Sequence, residues 1–533
     1  MVVGENSYRK YRFMMAPSFA GQAGQPAGSG DFPVAGLLPQ RGRAPLTGGL
    51  ASLPCLWLRL AALSLCLAAF VPLPVIAAEN STPEVGIAAR DITPELPIRL
   101  AGYDHRKRPA DKVDGPLVAQ ALALRNRSGE RFVFVALDNC EVSRAFMAPV
   151  LQQLADRFVL RRGAVAVISS HTHSAPWLET TLPGMARPPA ADGEAMAKYS
   201  RFLQAKLIEV VGAALADCQP ATLEHGMGRA TFAMNRRVYQ GDQVVFGNNP
   251  DGPVDWEVPV LRVKGTNGAV RAMMFGYACH GTSVLDSKTH NLLFGGVGHS
   301  PSAANDEDWY TVSGDYMAYA RQLLEAHQPG ATAMFLTGMG GDSWPVPLGR
   351  LLDAKRHGLE LAGAVIGVLD RPMRQVRGAF RLAYDEVELP LPAPPDRPQL
   401  EKDAQSEDVN VKQRAEGYLK LLNAGGPLPK SVTLPIAVLR LGDDLTFVLM
   451  AGEVVVDYSR RIKRLLSDDH PWPIGYAYEV PCYIPSARLT KEGGYETEDS
   501  MTYYGLYGPF NGGIETQLLQ RVETLADQVR AHP

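Results

Sequence analysis

Five apolar runs of strand length, each stopping on a residue that binds metal ions or moves protons, constrain this chain more than any other feature. Arg131-Phe-Val-Phe-Val-Ala-Leu137 stops on Asp138, and Val165-Ala-Val-Ile-Ser-Ser170 stops on His171-Thr-His173. Ala269 to Cys279 stops on His280, Ala331 to Thr337 runs into Gly338-Met-Gly340-Gly341-Asp342, and Leu445 to Met450 leads to Glu453. A strand fixes its last side chain at the rim of a sheet, so several such ends can converge on one point. Residues 143–159, 194–217, 315–327 and 353–370 have helical spacing of apolar positions. Strands alternating with helices predict an α/β protein: one large mixed, sandwich-like domain with its active site at the carboxyl ends of the strands.

The end at His171 is the most informative. Its i, i+2 spacing predicts both imidazoles on one face of extended chain. Two histidines with one carboxylate form a common ligand set for catalytic zinc, which leaves a position open for water or substrate. Gly340 and Gly341, beside Asp342, would let a substrate approach the backbone closely. Each feature also has a plain structural reading. His280 could be a core histidine, Glu453 a cap for the helix after it, and residues 340–342 a simple turn. The tyrosines between Ile474 and Phe510 (Tyr476, Tyr478, Tyr483, Tyr495, Tyr503, Tyr504, Tyr507) could be an aromatic wall. Met234-Asn-Arg236-Arg237 reads as a loop, and 390–429 as a Pro-rich surface excursion with one helix over 411–422.

The start of the chain reads differently. Residues 1–54 are low-complexity, and 55–78 hold an apolar core followed by small residues, which predicts a cleaved signal peptide rather than a stable transmembrane anchor. The expected location is therefore secreted or periplasmic, with residues 79–533 as the mature domain. Residues 1–78 carry six Lys/Arg and two Asp/Glu, so their removal takes the net charge from -3 to -7. That acidity argues against nucleic acid as a partner. Cys140, Cys218, Cys279 and Cys482 are too scattered for a Cys-x-x-Cys zinc motif.

His171-Thr-His173-Ser, His280-Gly-Thr-Ser283, Gly340-Gly-Asp342 and Gly452-Glu453, taken in this order, resemble the neutral/alkaline non-lysosomal ceramidase family. The opening Gly86 to Pro94, the Gly102-Tyr103 turn, Asn235-Arg236 and the tyrosine-rich tail extend the resemblance from about Val85 to Phe510. It implies one zinc ion held by His171, His280, Glu453 and Tyr483. It further implies that Tyr495 steadies the oxyanion, that His173 contacts substrate or orients the site, and that Arg236 faces the substrate head. Asp342 would orient the loop or take part in proton transfer.

Two departures bear on mechanism. The family carries Gly-Asp-x-Ser-Pro-Asn, whose serine is the nucleophile, whereas this chain reads Gly341-Asp342-Ser343-Trp344-Pro345-Val346. Trp344 takes the serine position, where it would fill space available to a long acyl chain, and Ser343 falls one residue early, which on extended chain turns a side chain to the opposite face. The chain as read ends soon after 517–530, so the immunoglobulin-like domain such ceramidases carry is not expected here. The expected protein is an exported zinc-dependent amidohydrolase that cleaves a small-molecule amide or ester, lipids included, through metal-activated water. Two readings compete: a true ceramidase with Ser343 as nucleophile, and a catalytically silent protein that binds metal and a lipid or glycan.

Overall fold

The computed structural model describes residues 83–294 and 305–530, so the stretch 1–54 read as low-complexity and the expected leader 55–78 lie outside the described residues. The chain first builds one nine-stranded sheet. Its main strands are β1 (Glu84–Asp91), β2 (Val118–Arg125), β3 (Arg131–Leu137), β4 (Val165–Ser169), β5 (Gln219–Arg229), β6 (Glu257–Gly265), β7 (Val270–Tyr277) and β8 (Thr332–Thr337). Their order is β8–β7–β6–β5–β1–β2–β3–β4, with the short strand Arg374–Val376 attached to β5. The interior pairs are antiparallel, while the pairs at the two edges, β3 with β4 and β7 with β8, are parallel. Parallel neighbours need a crossover. Helix α1 (Arg144–Phe158) lies in the crossover from β3 to β4, and α3 (Asp315–His327) in that from β7 to β8. Between them in sequence comes α2 (Ala190–Ala216), and α4 (Leu351–Leu369) follows β8.

A second, four-stranded sheet consists of β9 (Phe380–Pro390), β10 (Ser431–Leu441), β11 (Leu445–Met450) and β12 (Pro471–Ile474), in that order. Alternation along the strands accounts for the layering. Phe132 and Phe134 of β3 share a buried cluster with Phe447 and Leu449 of β11, so the two sheets pack face to face. Val133 and Val135, on the opposite face of β3, pack with α1 and α2. Met273 and Phe275 of β7 likewise pack with α3 and α4. The outer face of the second sheet is covered by α5 (Val456–Leu465) and α6 (Ile514–Arg530). The architecture is thus a helix–sheet–sheet–helix sandwich of mixed α/β class.

The two edges of the large sheet, β4 and β8, come together. The Thr337 hydroxyl donates to the Ser169 carbonyl at 2.6 Å. The segment after β12 ties both edges: Gly475 N–H donates to Thr337 O, and Ser169 N–H to Tyr476 O. Strands that are far apart in sheet order therefore end side by side.

Several sequence expectations are corrected. Residues 234–237 are not a loop but lie in the strand Ala233–Gln240, which pairs with Gln243–Asn249 and Ser343–Pro345. The excursion holds two helices, Arg397–Asp403 and Val409–Asn423, because Asp396 and Asp408 each accept backbone N–H bonds as N-caps. Among the described residues no helix is long and apolar enough to cross a membrane.

Helix α2 lies so close to β1 that a Cβ on Gly86 would sit 1.8 Å from the Ala214 carbonyl oxygen. Gly86→Ala should therefore destabilise the protein by about 1–3 kcal/mol, read as a lowered midpoint in chemical or thermal unfolding.

Candidate metal centre

The segments following β4 and β7 pair with each other, Thr172 against Gly281, and His173 N–H donates to Gly281 O at 3.0 Å. Glu453 and Tyr483 are direct partners in a short parallel ladder. These pairings bring His171, His280, Glu453 and Tyr483 together from segments far apart in sequence. The Glu453 Oε2 is 3.0 Å from His171 Nε2 and 3.1 Å from His280 Nε2. The Tyr483 hydroxyl is 3.1 Å from His280 Nε2. All four residues are buried.

Where the hydrogens lie decides what this cluster can bind. His171 Nδ1 is 2.9 Å from the Cys140 carbonyl, and His280 Nδ1 is 3.0 Å from the Ser343 carbonyl. Carbonyls only accept, so both rings carry a proton on Nδ1 and turn Nε2 toward Glu453. Burial, reinforced by Arg236, pulls His280 down to about 4, so it is neutral near pH 7. Burial alone would raise Glu453, but His171 and His280 outweigh it and hold the carboxyl well below its usual range. His171 Nε2, His280 Nε2 and Glu453 Oε2 thus face one another at about 3 Å, an arrangement that a shared proton or a metal ion can bridge. Ligands about 2.0–2.1 Å from a tetrahedral zinc ion lie roughly 3.3 Å apart, so the donor set fits a zinc ion in both chemistry and spacing.

Other side chains hold these donors. Glu453 Oε2 accepts from Tyr476 at 3.3 Å, and Oε1 accepts from Tyr504 at 2.6 Å. His171 sits at φ +60° and Tyr476 at φ +52°, a left-handed conformation that costs a non-glycine residue energy and recurs at functional sites. The turn at His171, rather than the pleat expected from the i, i+2 spacing, brings His173 Nε2 to 3.2 Å from His171 Nε2. A Cβ on Gly102 (φ +88°) would lie 2.3 Å from the His173 ring, so only glycine fits there. Tyr103 meets the same ring edge-on at 4.7 Å.

A second grouping, Cys140, His171 and His173, shares one histidine with the first. It is the weaker donor set. Burial, with the nearby Glu141 and Glu453 carboxyls, pushes the Cys140 thiol well up, whereas metals take the thiolate.

The remaining sequence candidates separate. Tyr495 is half-buried, 5.6 Å ring to ring from Tyr483. Arg236, expected to face substrate, is buried with its donors turned inward: to Glu496 at 2.9 Å, His280 Nε2 at 3.1 Å and Tyr483 at 3.0 Å. Asp342 accepts from Val456 N–H at 2.8 Å and Asn235 Nδ2 at 3.0 Å, which ties its loop to α5 and to the strand Ala233–Gln240. Burial raises its carboxyl to about 6. Gly340 and Gly341 are buried against backbone rather than open to a ligand: a Cβ would lie 2.4 Å from Ala278 or 2.7 Å from the Glu453 carbonyl. Ser343 is buried and its Oγ has no hydrogen-bond partner among the described residues. Trp344, the next residue on the strand, points the other way; its indole donates to Asn248 at 3.0 Å and stacks on Phe246. Asp138 takes no part in the cluster, because it pairs with Arg321 at 2.8 Å.

Sequence reasoning missed the Cys140 carbonyl, Glu141, Glu496 and the support given by Tyr476 and Tyr504. The tyrosine-rich tail was the available signal for the last two.

Residues 84–293 match the family profile described as neutral/alkaline non-lysosomal ceramidase, N-terminal. Over 95 residues the chain is 30% identical to a neutral ceramidase of Oryza sativa subsp. japonica, covering 17% of this chain and 12% of that protein. Over 265 residues it is 24% identical to neutral ceramidase 1 of Arabidopsis thaliana, covering 46% and 32%. These matches span less than a third of either relative. The fold matches the neutral ceramidase of Pseudomonas aeruginosa with a TM-score of 0.57 at 20% identity, over 80% of this chain and 72% of that one. A ceramidase complexed with C2 gives a TM-score of 0.58 at 18% identity, over 80% and 73%. Residues 84–293 thus carry the profile of the neutral/alkaline non-lysosomal ceramidase family, and the chain shares the fold of solved ceramidases.

Proposed function

We propose that the chain is an exported zinc-dependent amidohydrolase of the ceramidase type, acting on an N-acyl amide or an ester through water rather than a serine nucleophile. The observation that carries this reading is the convergence of two imidazole Nε2 atoms on one carboxylate oxygen at 3.0–3.1 Å in a buried site. His171, His280, Glu453 and Tyr483 would hold the ion. When bound there, zinc supplies a Lewis acid that polarises a carbonyl and makes water nucleophilic near neutral pH. Export rests on the leader read in residues 55–78.

The chain's own groups take the other roles. Tyr495 donates a hydrogen bond to the oxygen on which negative charge develops. His173 is held neutral, well below the usual histidine value, by burial and by His171 and His280. It is therefore a proton acceptor beside the ligand set, placed to receive a proton from water and return it to the leaving amine. Arg236 fixes Tyr483 and sets a positive charge next to His280. Trp344 narrows the approach with Phe246, which favours a compact acyl group. Asp342 acts on loop geometry, since both its oxygens are engaged by the fold.

Ser343 suits the nucleophile role poorly. Its Oγ has no base within hydrogen-bond distance among the described residues, and an activated serine needs one. The competing reading, a ceramidase that uses Ser343, is separated by variants. The purified mature protein should carry one zinc per chain and hydrolyse members of a panel of N-acyl amides and esters, with both properties lost in His280→Ala. Tyr495→Phe should keep its zinc and lose about 10²–10³-fold in kcat. Ser343→Ala should retain turnover and unfold at the same temperature or higher, since it removes an unpaired buried hydroxyl. Loss of turnover in Ser343→Ala with zinc retained would favour the serine mechanism. Zinc without turnover on any substrate would favour a silent binding protein.

A further inference from the structure

Glu141 belongs to the segment that leaves β3, and it is 3% exposed. Its Oε2 lies 3.0 Å from the Tyr504 hydroxyl, and its Oε1 has no hydrogen-bond partner among the described residues. The same Tyr504 hydroxyl lies 2.6 Å from Glu453 Oε1. A phenol has one hydrogen, so it cannot donate to two carboxylates at once. Both Glu453 oxygens have partners and it makes the shorter contact, whereas Glu141 leaves one buried oxygen bare, so the phenol hydrogen goes to Glu453. The second acid must then carry its own proton and give it to the Tyr504 oxygen. Burial and the Glu453 charge both favour this by pushing the Glu141 carboxyl well up.

We propose that Glu141 is a positioning residue of the metal centre: as a carboxylic acid it donates to Tyr504, which donates in turn to Glu453 Oε1. The inference rests on the reading of His171, His280 and Glu453 as metal ligands. Its consequence is that one oxygen of Glu453 is pinned while the other, Oε2, stays turned toward the two imidazoles. The Glu141 segment reaches the site twice, because the Cys140 carbonyl also fixes the His171 tautomer. The Asn139 amide donates to the Glu141 carbonyl at 2.9 Å, which holds the turn that presents both groups. One short stretch after β3 thus orients two ligands on other segments without binding metal itself.

The test has two independent arms on the full mature chain. In the first, infrared difference spectra of zinc-free protein near pH 7 compare wild type with Glu141→Gln and Tyr504→Phe. The expected result is a carboxylic-acid C=O stretch that shifts in D2O, vanishes in Glu141→Gln and moves in Tyr504→Phe. In the second arm, zinc affinity is measured by chelator competition. Glu141→Gln, whose amide can also donate to Tyr504, should bind close to wild type. Glu141→Ala and Tyr504→Phe should each weaken binding by about 10–100-fold, the usual cost of losing a group that orients a ligand. Their double variant should lose no more than either alone, because Glu141 acts through Tyr504. The proposal is overturned if Glu141→Gln weakens zinc as much as Glu141→Ala, or if no acid band is lost with Glu141. If wild type takes up no zinc, the metal-centre reading fails. The infrared arm then decides alone, upholding the donor chain if the band is present and overturning it if absent.

Discussion

Two imidazole Nε2 atoms and a carboxylate oxygen about 3 Å apart in a protein interior need a shared positive centre, a proton or a metal ion. His171 Nε2, His280 Nε2 and Glu453 Oε2 are in that position because each imidazole gives its Nδ1–H to a backbone carbonyl and turns Nε2 toward the carboxylate. Burial and Arg236 oppose a proton on His280. Leaving the carboxylate unpaired would cost several kcal/mol. The rest of the site follows from this constraint: two tyrosines on the carboxylate, a third beside His280, and carbonyls fixed by tight turns.

The fold meets the constraint by closing its large sheet edge to edge. β4 and β8 stand at opposite ends of the strand order, yet Thr337 and Ser169 join them, and the segment after β12 seals the seam. The two parallel edge pairs each send a histidine loop to the same place. The second sheet, packed on the inner face, delivers Glu453 from the end of β11. The glycines at 340 and 341 allow these segments to touch backbone to backbone, and the left-handed backbone at His171 and Tyr476 turns their side chains inward.

Much of this was legible in the sequence, because apolar runs and their terminal residues are local features. The helix over 315–327 and the strand over 445–450 have the bounds that the spacing suggested. Where a strand end points is not local. Asp138 ends a strand just as His171 does, but Arg321 from a distant helix captures it. Arg236 reads as a loop residue in the sequence. In the fold, Glu496 and Tyr483, more than 200 residues away, neutralise and bury it. The two glycines read as room for a ligand and serve packing instead. Glu141 gave no signal, since its role depends on a single phenol 363 residues later.

The central claim concerns which atoms meet the metal, and X-ray absorption at the zinc edge of the reconstituted protein tests it most directly. The account predicts a first shell made only of nitrogen and oxygen at about 2.0–2.1 Å, with scattering from two imidazoles, and loss of that pattern in His280→Ala. A sulfur scatterer at about 2.3 Å would place Cys140 on the metal, and failure of the protein to retain zinc would remove the site altogether. Either result would contradict the account.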